Sequence, residues 1–241
     1  MTVHDLRDTY PPFSSLPDRT WRRLMSAARL EWPGRDQILC RQGDPLTALH
    51  FLVDGAVAMT ACDGDPGREG ILEIVTPPDA FVLTTILTGG PLPAGARSLA
   101  PCTLVRLPVG AATEMIRDDP EFLRMISGLL ARQCHLMVRD AARMRLLTPT
   151  QRVACYILSL AEDAALSDGP VVLPSSKRIV ANRLGTTPES VSRALADLRS
   201  VGVSTRGRVV KIDDIEALRR YCRTGSPGQA ADLAAATADP L

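Results

Sequence analysis

The stretch that decides the fold is Ser175-Ser176-Lys177-Arg178-Ile179-Val180-Ala181-Asn182-Arg183-Leu184-Gly185-Thr186-Thr187-Pro188-Glu189-Ser190-Val191-Ser192-Arg193-Ala194-Leu195. Ser175 or Ser176 can cap a first helix running to Leu184. Gly185 permits a left-handed turn, and Thr187 with Pro188 caps and opens a second helix ending near Gly202. Ala181, Gly185 and Val191 supply a small residue at a helix crossing, a bend and a branched apolar plug. That pattern predicts a helix-turn-helix of the DNA-reading kind, against the plainer alternative of an αα-hairpin with a solvated face. The exposed face and its flank would then carry Thr187, Glu189, Ser190, Ser192, Arg193 and Arg199, with Arg178 on the first helix. A short β-hairpin at Thr205-Arg206-Gly207-Arg208, before the strand-like Val209-Val210-Lys211-Ile212, has the shape of a wing.

Charge agrees with a local nucleic-acid surface. The 241 residues carry a net charge of +1, so the chain as a whole is not a polybasic coat. Between Thr148 and Arg223, however, 12 basic residues face 8 acidic ones, which leaves the remainder at −3. All basic residues except Lys177 and Lys211 are arginine. No apolar run approaches the roughly 18 residues a membrane span needs, and no charged-then-apolar leader opens the sequence, so a cytoplasmic protein is expected. Cys40, Cys62, Cys102, Cys134, Cys155 and Cys222 form no C-x-x-C pair and no Cys/His cluster at metal spacing. They read as buried small residues or ordinary thiols, with neither a metal site nor a disulfide framework. No catalytic constellation is visible, and no enzyme is expected.

Upstream of the motif the texture changes twice. A short helical pattern (Trp21, Leu24, Met25, Ala28) is followed, from Trp32 to Pro108, by strand-length runs such as Leu49–Val53, Ala56–Met59 and Ile71–Val75. Turn signals break them at Gly34, Gly43-Asp44, Asp54-Gly55, Gly64, Pro66-Gly67, Gly70 and Pro77-Pro78. This predicts a compact antiparallel roll or barrel. Asp119-Pro120-Glu121 then starts a helix: Asp119 accepts from first-turn N–H groups, proline needs no partner there, and Glu121 suits the dipole. The apolar stripe Phe122, Ile126, Leu129, Leu130, Leu136, Met137, Met144 and Leu147 carries it to Thr148-Pro149. From Pro120 to Leu146 it would be about 40 Å long, and pairing with a second copy is favoured over packing on the barrel alone. The expected segments are 1–118 (helix and roll), 119–148 (dimerisation helix), 149–223 (winged helix-turn-helix) and 224–241 (mobile tail).

Taken together, the Gly43-Asp44 step, Phe51-Leu52-Val53-Asp54-Gly55-Ala56-Val57 and Thr187-Pro188-Glu189-Ser190-Val191-Ser192-Arg193 resemble the cyclic-AMP receptor protein/FNR (Crp/Fnr) family of bacterial transcription regulators, over about residues 14–222. The resemblance implies an α+β fold with a cyclic-nucleotide-binding-like jelly roll, a long dimerisation helix and a C-terminal winged helix-turn-helix. It implies as partners double-stranded DNA, a second copy of the chain and RNA polymerase, without a membrane. Glu189, Ser192 and Arg193 match the FNR-like branch, whose half-site is of the TTGAT type. The chemistry agrees: Arg193 can bond guanine O6 and N7, Glu189 can accept from a cytosine amino group, and Ser192 is adaptable. A surface ion pair between Glu189 and Arg193 is the plainer alternative. Arg206 and Arg208 suit phosphates.

The sensor departs from the family's best-known members. No cysteine precedes Cys40, so an FNR-type iron–sulfur cluster is not expected. The Gly-Glu step and Arg-Ser/Thr pair that hold a cyclic nucleotide in the family are absent; the phosphate-holding position falls near Leu92, and Arg97-Ser98 comes several residues late. A buried phosphate without a cation is costly, so cyclic AMP is not the expected effector. The remaining candidate is an apolar pocket edge of Phe81, Leu83, Ile86, Leu87 and Leu92, similar to the haem-associated nitric-oxide regulators, with His50, His135, Met137 or a cysteine as conceivable iron ligands. A sensor that binds nothing is the third alternative.

Overall fold

A computed structural model describes residues 3–62, 69–163 and 169–225 of the chain. The turn signals at Gly64 and Pro66-Gly67 and nearly all of the expected tail lie outside the described residues. The chain divides into two compact units, Met1–Val138 and Arg139–Leu241.

The first unit opens with helices α1 (Val3–Thr9), α2 (Pro11–Ser14) and α3 (Asp18–Ala27). Strands β1 (Arg29–Glu31), β2 (Ile38–Cys40), β3 (Ala48–Asp54), β4 (Val57–Cys62), β5 (Glu69–Val75) and β6 (Asp79–Phe81) follow. Helix α4 (Leu83–Thr88), strands β7 (Gly95–Ser98) and β8 (Thr103–Pro108), and helix α5 (Val109–Asp118) complete the run. The strands form two four-stranded antiparallel sheets, ordered β1-β8-β3-β6 and β2-β7-β4-β5. The hydrophobic runs become strands because both faces of β3 and β8 find apolar partners. Leu49, Phe51, Val53, Val105 and Leu107 pack on the helices, where Leu6, Tyr10 and Phe13 join Phe122, Ile126 and Leu129. Leu52, Phe81 and Leu104 point into the roll, against Val57, Met59, Leu92 and Ala96. The turn after β3 requires glycine: Gly55 has φ +96°, and a Cβ there would lie 2.5 Å from the Pro101 carbonyl oxygen.

Helix α6 (Pro120–Leu146) has 27 residues and spans the range the sequence indicates. Its start is capped as expected: Asp119 Oδ1 accepts from the N–H groups of Glu121 (3.1 Å) and Phe122 (3.2 Å), while Oδ2 accepts from Thr20 Oγ1 at 2.8 Å. Two expectations need correction here. The boundary between the units falls inside α6, so residues 119–148 are not a separate segment. The proposed pairing stripe also mixes two faces. Phe122, Met125, Ile126 and Leu129 are buried in the first unit's own core, and half-buried Leu136 lies on their side of the helix. The exposed stripe is instead Leu123, Ser127, Cys134, Met137 and Ala141, with half-buried Leu130 at its edge. These positions alternate four and three residues apart, which is the coiled-coil repeat.

The second unit adds α7 (Pro149–Asp163), β9 (Gly169–Val172), α8 (Lys177–Arg183) and α9 (Pro188–Asp197). A 3₁₀ turn at Leu198–Val201, strands β10 (Val203–Arg206) and β11 (Val209–Ile212) and helix α10 (Ile215–Thr224) follow. Its three-stranded antiparallel sheet has the order β10-β11-β9. Val153, Ile157, Val180, Ala181, Val191, Leu195 and Leu218 belong to one core.

Inside the roll, one polar side chain is fixed among apolar ones. His50 is buried and stacked face to face with Phe81, ring centroids 5.0 Å apart. Its Nδ1 has no hydrogen-bond partner among the described residues. Burial first, and the neighbouring Arg106 charge second, bring its pKa down from 6.5 to about 4. The folded protein therefore holds a neutral imidazole, and His50 contributes its full stability only above about pH 6.5, where the unfolded chain is neutral as well. As pH falls from 6.5 through about 4, the unfolded chain takes up the proton first, and about 3 kcal/mol is lost. Urea unfolding at a series of pH values should show this decline in the wild type and a flatter profile in His50→Leu; parallel profiles would refute it.

Candidate nucleic-acid interface

The reading head is built from the turn outward. Ala181 and Val191 are both buried where the two helices meet. Gly185 has φ +58° and faces the Met144 side chain of α6 so closely that a Cβ would collide with its methyl group. The turn is closed by the Thr186 N–H donating to the Ala181 carbonyl at 2.9 Å. Thr187 Oγ1 caps α9 by accepting from the Ser190 N–H at 3.2 Å. Ser176 occupies the N-cap position of α8 but makes no side-chain cap bond.

Helical spacing then sorts α9. Val191, Ala194 and Leu195 are buried, whereas Glu189, Ser192 and Arg193 are exposed at i, i+3 and i+4 on the opposite face. The Glu189 carboxylate is held below the usual range by its own backbone N–H and by the Thr187 hydroxyl, with a smaller contribution from the Arg193 charge. Glu189 and Arg193 form no ion pair among the described residues. Arg193 is tied only loosely, Nη2 to Ser190 Oγ at 3.4 Å. Thr187 and Ser190 are engaged chiefly with one another. Arg178, Arg199, Arg206 and Arg208 are exposed. Arg208 nevertheless commits its Nε to the Leu173 carbonyl, 2.9 Å away, so part of its guanidinium props the wing.

A further set escaped the sequence reading. Asp140 of α6 holds Arg183 of α8 in a direct ion pair, with Arg143 at 3.8 Å on its other oxygen. Arg152 Nη1 donates to the Met144 carbonyl at 3.2 Å. With Met144 under Gly185, these contacts seat the first helix of the motif on the end of α6. The signal was a charged pair 43 positions apart, which no local spacing rule can find.

The expected effector pocket does not assemble. Phe81 and Leu92 lie inside the roll. Leu83 and Ile86 face the helical core instead, and Leu87 is 49% exposed. The reason is local: Val82 adopts a left-handed conformation (φ 60°) and α4 leaves the roll directly after β6. Arg97 and Ser98 separate because neighbouring strand residues face opposite ways. Arg97 is half-buried and paired with Glu69 at 2.8 Å, while buried Ser98 donates to the Gly34 carbonyl and accepts from the Gln37 N–H. His135 and Met137 are exposed on α6. What the roll does contain is a cavity of about 300 Å³ among Leu39, Cys40, Asp44, His50, Val82 and Leu92. Its one formal charge is the Asp44 carboxylate, the wrong sign for a phosphate.

Comparison with known proteins agrees with both units. Residues 34–119 match the cyclic nucleotide-binding domain, and residues 151–221 match the Crp-like helix-turn-helix domain. The chain is 28% identical, over 193 residues, to the CRP-like cAMP-activated global transcriptional regulator of Mycobacterium tuberculosis, covering 78% of this chain and 86% of that one. A CRP-family transcriptional regulator of Thermus thermophilus superposes with a TM-score of 0.64 at 25% identity, over 80% of this chain and 97% of that one. FixK2 of Bradyrhizobium japonicum shares the fold, with a TM-score of 0.71 at 23% identity over 80% and 96% of the two chains. Among the described residues no helix is long and apolar enough to cross a membrane. With a cyclic-nucleotide-binding-type roll, a long helix and a reading helix of this kind in one chain, the protein belongs to the Crp/Fnr family of DNA-binding transcription regulators.

Proposed function

We propose that the protein acts in the cytoplasm as a homodimer on an inverted repeat of TTGAT-type half-sites, under an effector at the roll that is not a cyclic nucleotide. The observation that carries this reading is the solvent face of α9, where Glu189, Ser192 and Arg193 stand together with no ion pair between them. Arg193 is the base reader, bidentate to guanine; Glu189 accepts from cytosine; Ser192 adapts. Thr187, Ser190, Arg178, Arg199, Arg206 and Arg208 serve the phosphates, which fix position without reading sequence. RNA polymerase is the further partner, and the chain has no catalytic role of its own.

The homodimer rests on the exposed stripe of α6. Met137 and Val138 are 66% and 65% exposed, which is costly for apolar side chains unless a second copy covers them. Met137→Glu should turn a dimer into a monomer in sedimentation equilibrium with the fold intact by circular dichroism. A monomeric wild type at micromolar concentration would remove the dimer.

The effector reading rests on Val82, Leu92 and Asp44 around the cavity, whose lining among the described residues holds no arginine or lysine; the neighbouring cation, Arg106, lies outside that lining and donates to Thr47 at 3.5 Å. Calorimetry with cyclic AMP should show no binding at micromolar concentration; a micromolar Kd would overturn this. A haem-dependent, gas-responsive regulator is the second reading, favoured by one observation, the unpartnered Nδ1 of neutral His50. A Soret band after reconstitution, lost in His50→Ala, would select it.

Two reading helices related by a two-fold axis should meet the major groove about 34 Å apart. Arg193→Ala should cost about 1–3 kcal/mol per half-site and relax the preference at one guanine. Loss of Arg178 or Arg206 should weaken all sequences alike and flatten the salt dependence. Selection from random DNA with wild type and Arg193→Ala decides the matter: the same motif with the same guanine from both would show that Arg193 does not read that base.

A further inference from the structure

Helices α7 and α10 pack against one another in antiparallel register within the second unit. At one end Gly225, the C-cap of α10, abuts Gln151 of α7, so that a Cβ on the glycine would lie 3.1 Å from Gln151 Nε2. At the other end Arg219 Nη2 bonds Glu162 Oε1 at 3.0 Å. Between these ties the register sets Cys155 opposite Cys222, close enough for each thiol to act on the ionisation of the other. Cys155 is buried and Cys222 partly exposed; both are reduced. They are 67 positions apart in the chain, and nothing in the reading of DNA uses either.

We propose that Cys155 and Cys222 are a reversible dithiol–disulfide pair, oxidised by small hydroperoxides, that staples α7 to α10 around the reading head. The electrostatics assign the order of events. The Cys222 thiol beside it, and after that the Arg143 and Arg139 charges, draw the Cys155 thiol below its ordinary pKa against the opposing effect of burial. The same thiol contact, together with burial, holds Cys222 protonated. Cys155 is therefore the nucleophile. Its thiolate attacks one peroxide oxygen, the O–O bond breaks, and with hydrogen peroxide the other oxygen leaves as hydroxide and takes up a proton to become water. Cys155 is left as a sulfenic acid. The Cys222 sulfur, losing its proton, then attacks the Cys155 sulfur; the S–S bond forms, the S–O bond breaks and a second water leaves. Two thiols are oxidised by two electrons and one peroxide is reduced. A dithiol such as dithiothreitol reverses the reaction by thiol–disulfide exchange. The bond closes a loop containing both helices of the motif and the wing, which restricts the unfolded chain and so stabilises this unit.

The test uses the full chain, reduced, then exposed to stoichiometric hydrogen peroxide and blocked with an alkylating agent. Tryptic digestion should yield peptide 153–177 joined to peptide 221–223, lighter than the two reduced peptides by two hydrogens. The link should vanish with dithiothreitol, and the oxidised protein should melt several degrees higher than the reduced one. Cys222→Ser should instead accumulate a sulfenic acid at Cys155 that dimedone captures, whereas Cys62→Ser should leave the link unchanged. Peptides 153–177 and 221–223 recovered with both thiols alkylated, under conditions that oxidise free cysteine added to the same solution, would overturn the proposal. So would a joined peptide whose formation leaves the melting midpoint unmoved. Because the readouts involve no DNA, failure here is distinguishable from failure of the operator reading.

Discussion

The first half of α6 supplies a wall to the hydrophobic core of the first unit and keeps another face uncovered. In its first half, α6 places Phe122, Met125, Ile126 and Leu129 in the core of the first unit at helical spacing. Polar ties add direction there: Gln133 Nε2 reaches Asp79 Oδ1 at 3.1 Å and Arg132 reaches the same carboxylate at 3.7 Å. In its last turns it holds the first helix of the reading motif through Asp140 and Met144. The exposed heptad stripe lies about 100° around the axis from the buried one, as 3.6 residues per turn dictates for Leu123 against Phe122. Within the first unit, a helix so committed cannot turn about its axis without breaking the contacts of Phe122, Ile126 and Leu129. That constraint leaves the exposed stripe for the proposed pairing with a second copy.

The two apolar stripes also explain where the sequence was ambiguous. Phe122, Ile126, Leu129 and Met137 are all apolar and all fit a helical period, so the pattern alone merged them. Only the sheet against which Phe122 packs separates buried from exposed. The reading motif was legible because its signals are local: Thr187 and Pro188 act on the next turn, Gly185 on its own φ, and alternating burial on one short helix. The strands β3, β4 and β5 were legible for the same reason. Helices α1 and α2 were not, since Leu6, Tyr10 and Phe13 owe their burial to Phe51 and Trp21. The apolar run from Phe81 to Leu92 misled because a left-handed residue at Val82 sends its middle out of the roll. Cys155 and Cys222 meet only through helix packing, and spacing rules for cysteines are silent at such separations.

The roll shows how a shared architecture can hold different chemistry. Its sheets and turns need only apolar alternation and a glycine such as Gly55, conditions that say nothing about ligand. The cavity wall is set by a few side chains: Val82 and Leu92 provide hydrocarbon, His50 a neutral ring, Asp44 a negative charge. A phosphate brought there would lose its hydration and meet a carboxylate, and burying a charge without a partner is among the costliest exchanges in a protein. A neutral ligand with one group able to bond the free His50 nitrogen faces no such cost.

The arginines follow the same logic of partners on their own surfaces. Arginine is nearly the sole basic residue of this chain, so type alone cannot mark a DNA contact; the partner each one has already taken does. Arg183 is only 16% exposed and bound to Asp140, and Arg219 is shared between Glu162 and Glu216. Arg220 lies 3.9 Å from Asp214. These act within the fold, and a phosphate would have to compete with a carboxylate for them. Arg178, Arg193, Arg199 and Arg206 have no acidic partner within ion-pair distance among the described residues. Arg193 alone of these four stands on the exposed face of the second helix, beside a carboxylate in Glu189 that keeps its own backbone N–H and Thr187 for company instead. A guanidinium left unpaired next to an available acceptor retains its planar fork for a partner from outside, which is what the proposed bidentate contact to O6 and N7 on the major-groove edge of guanine requires.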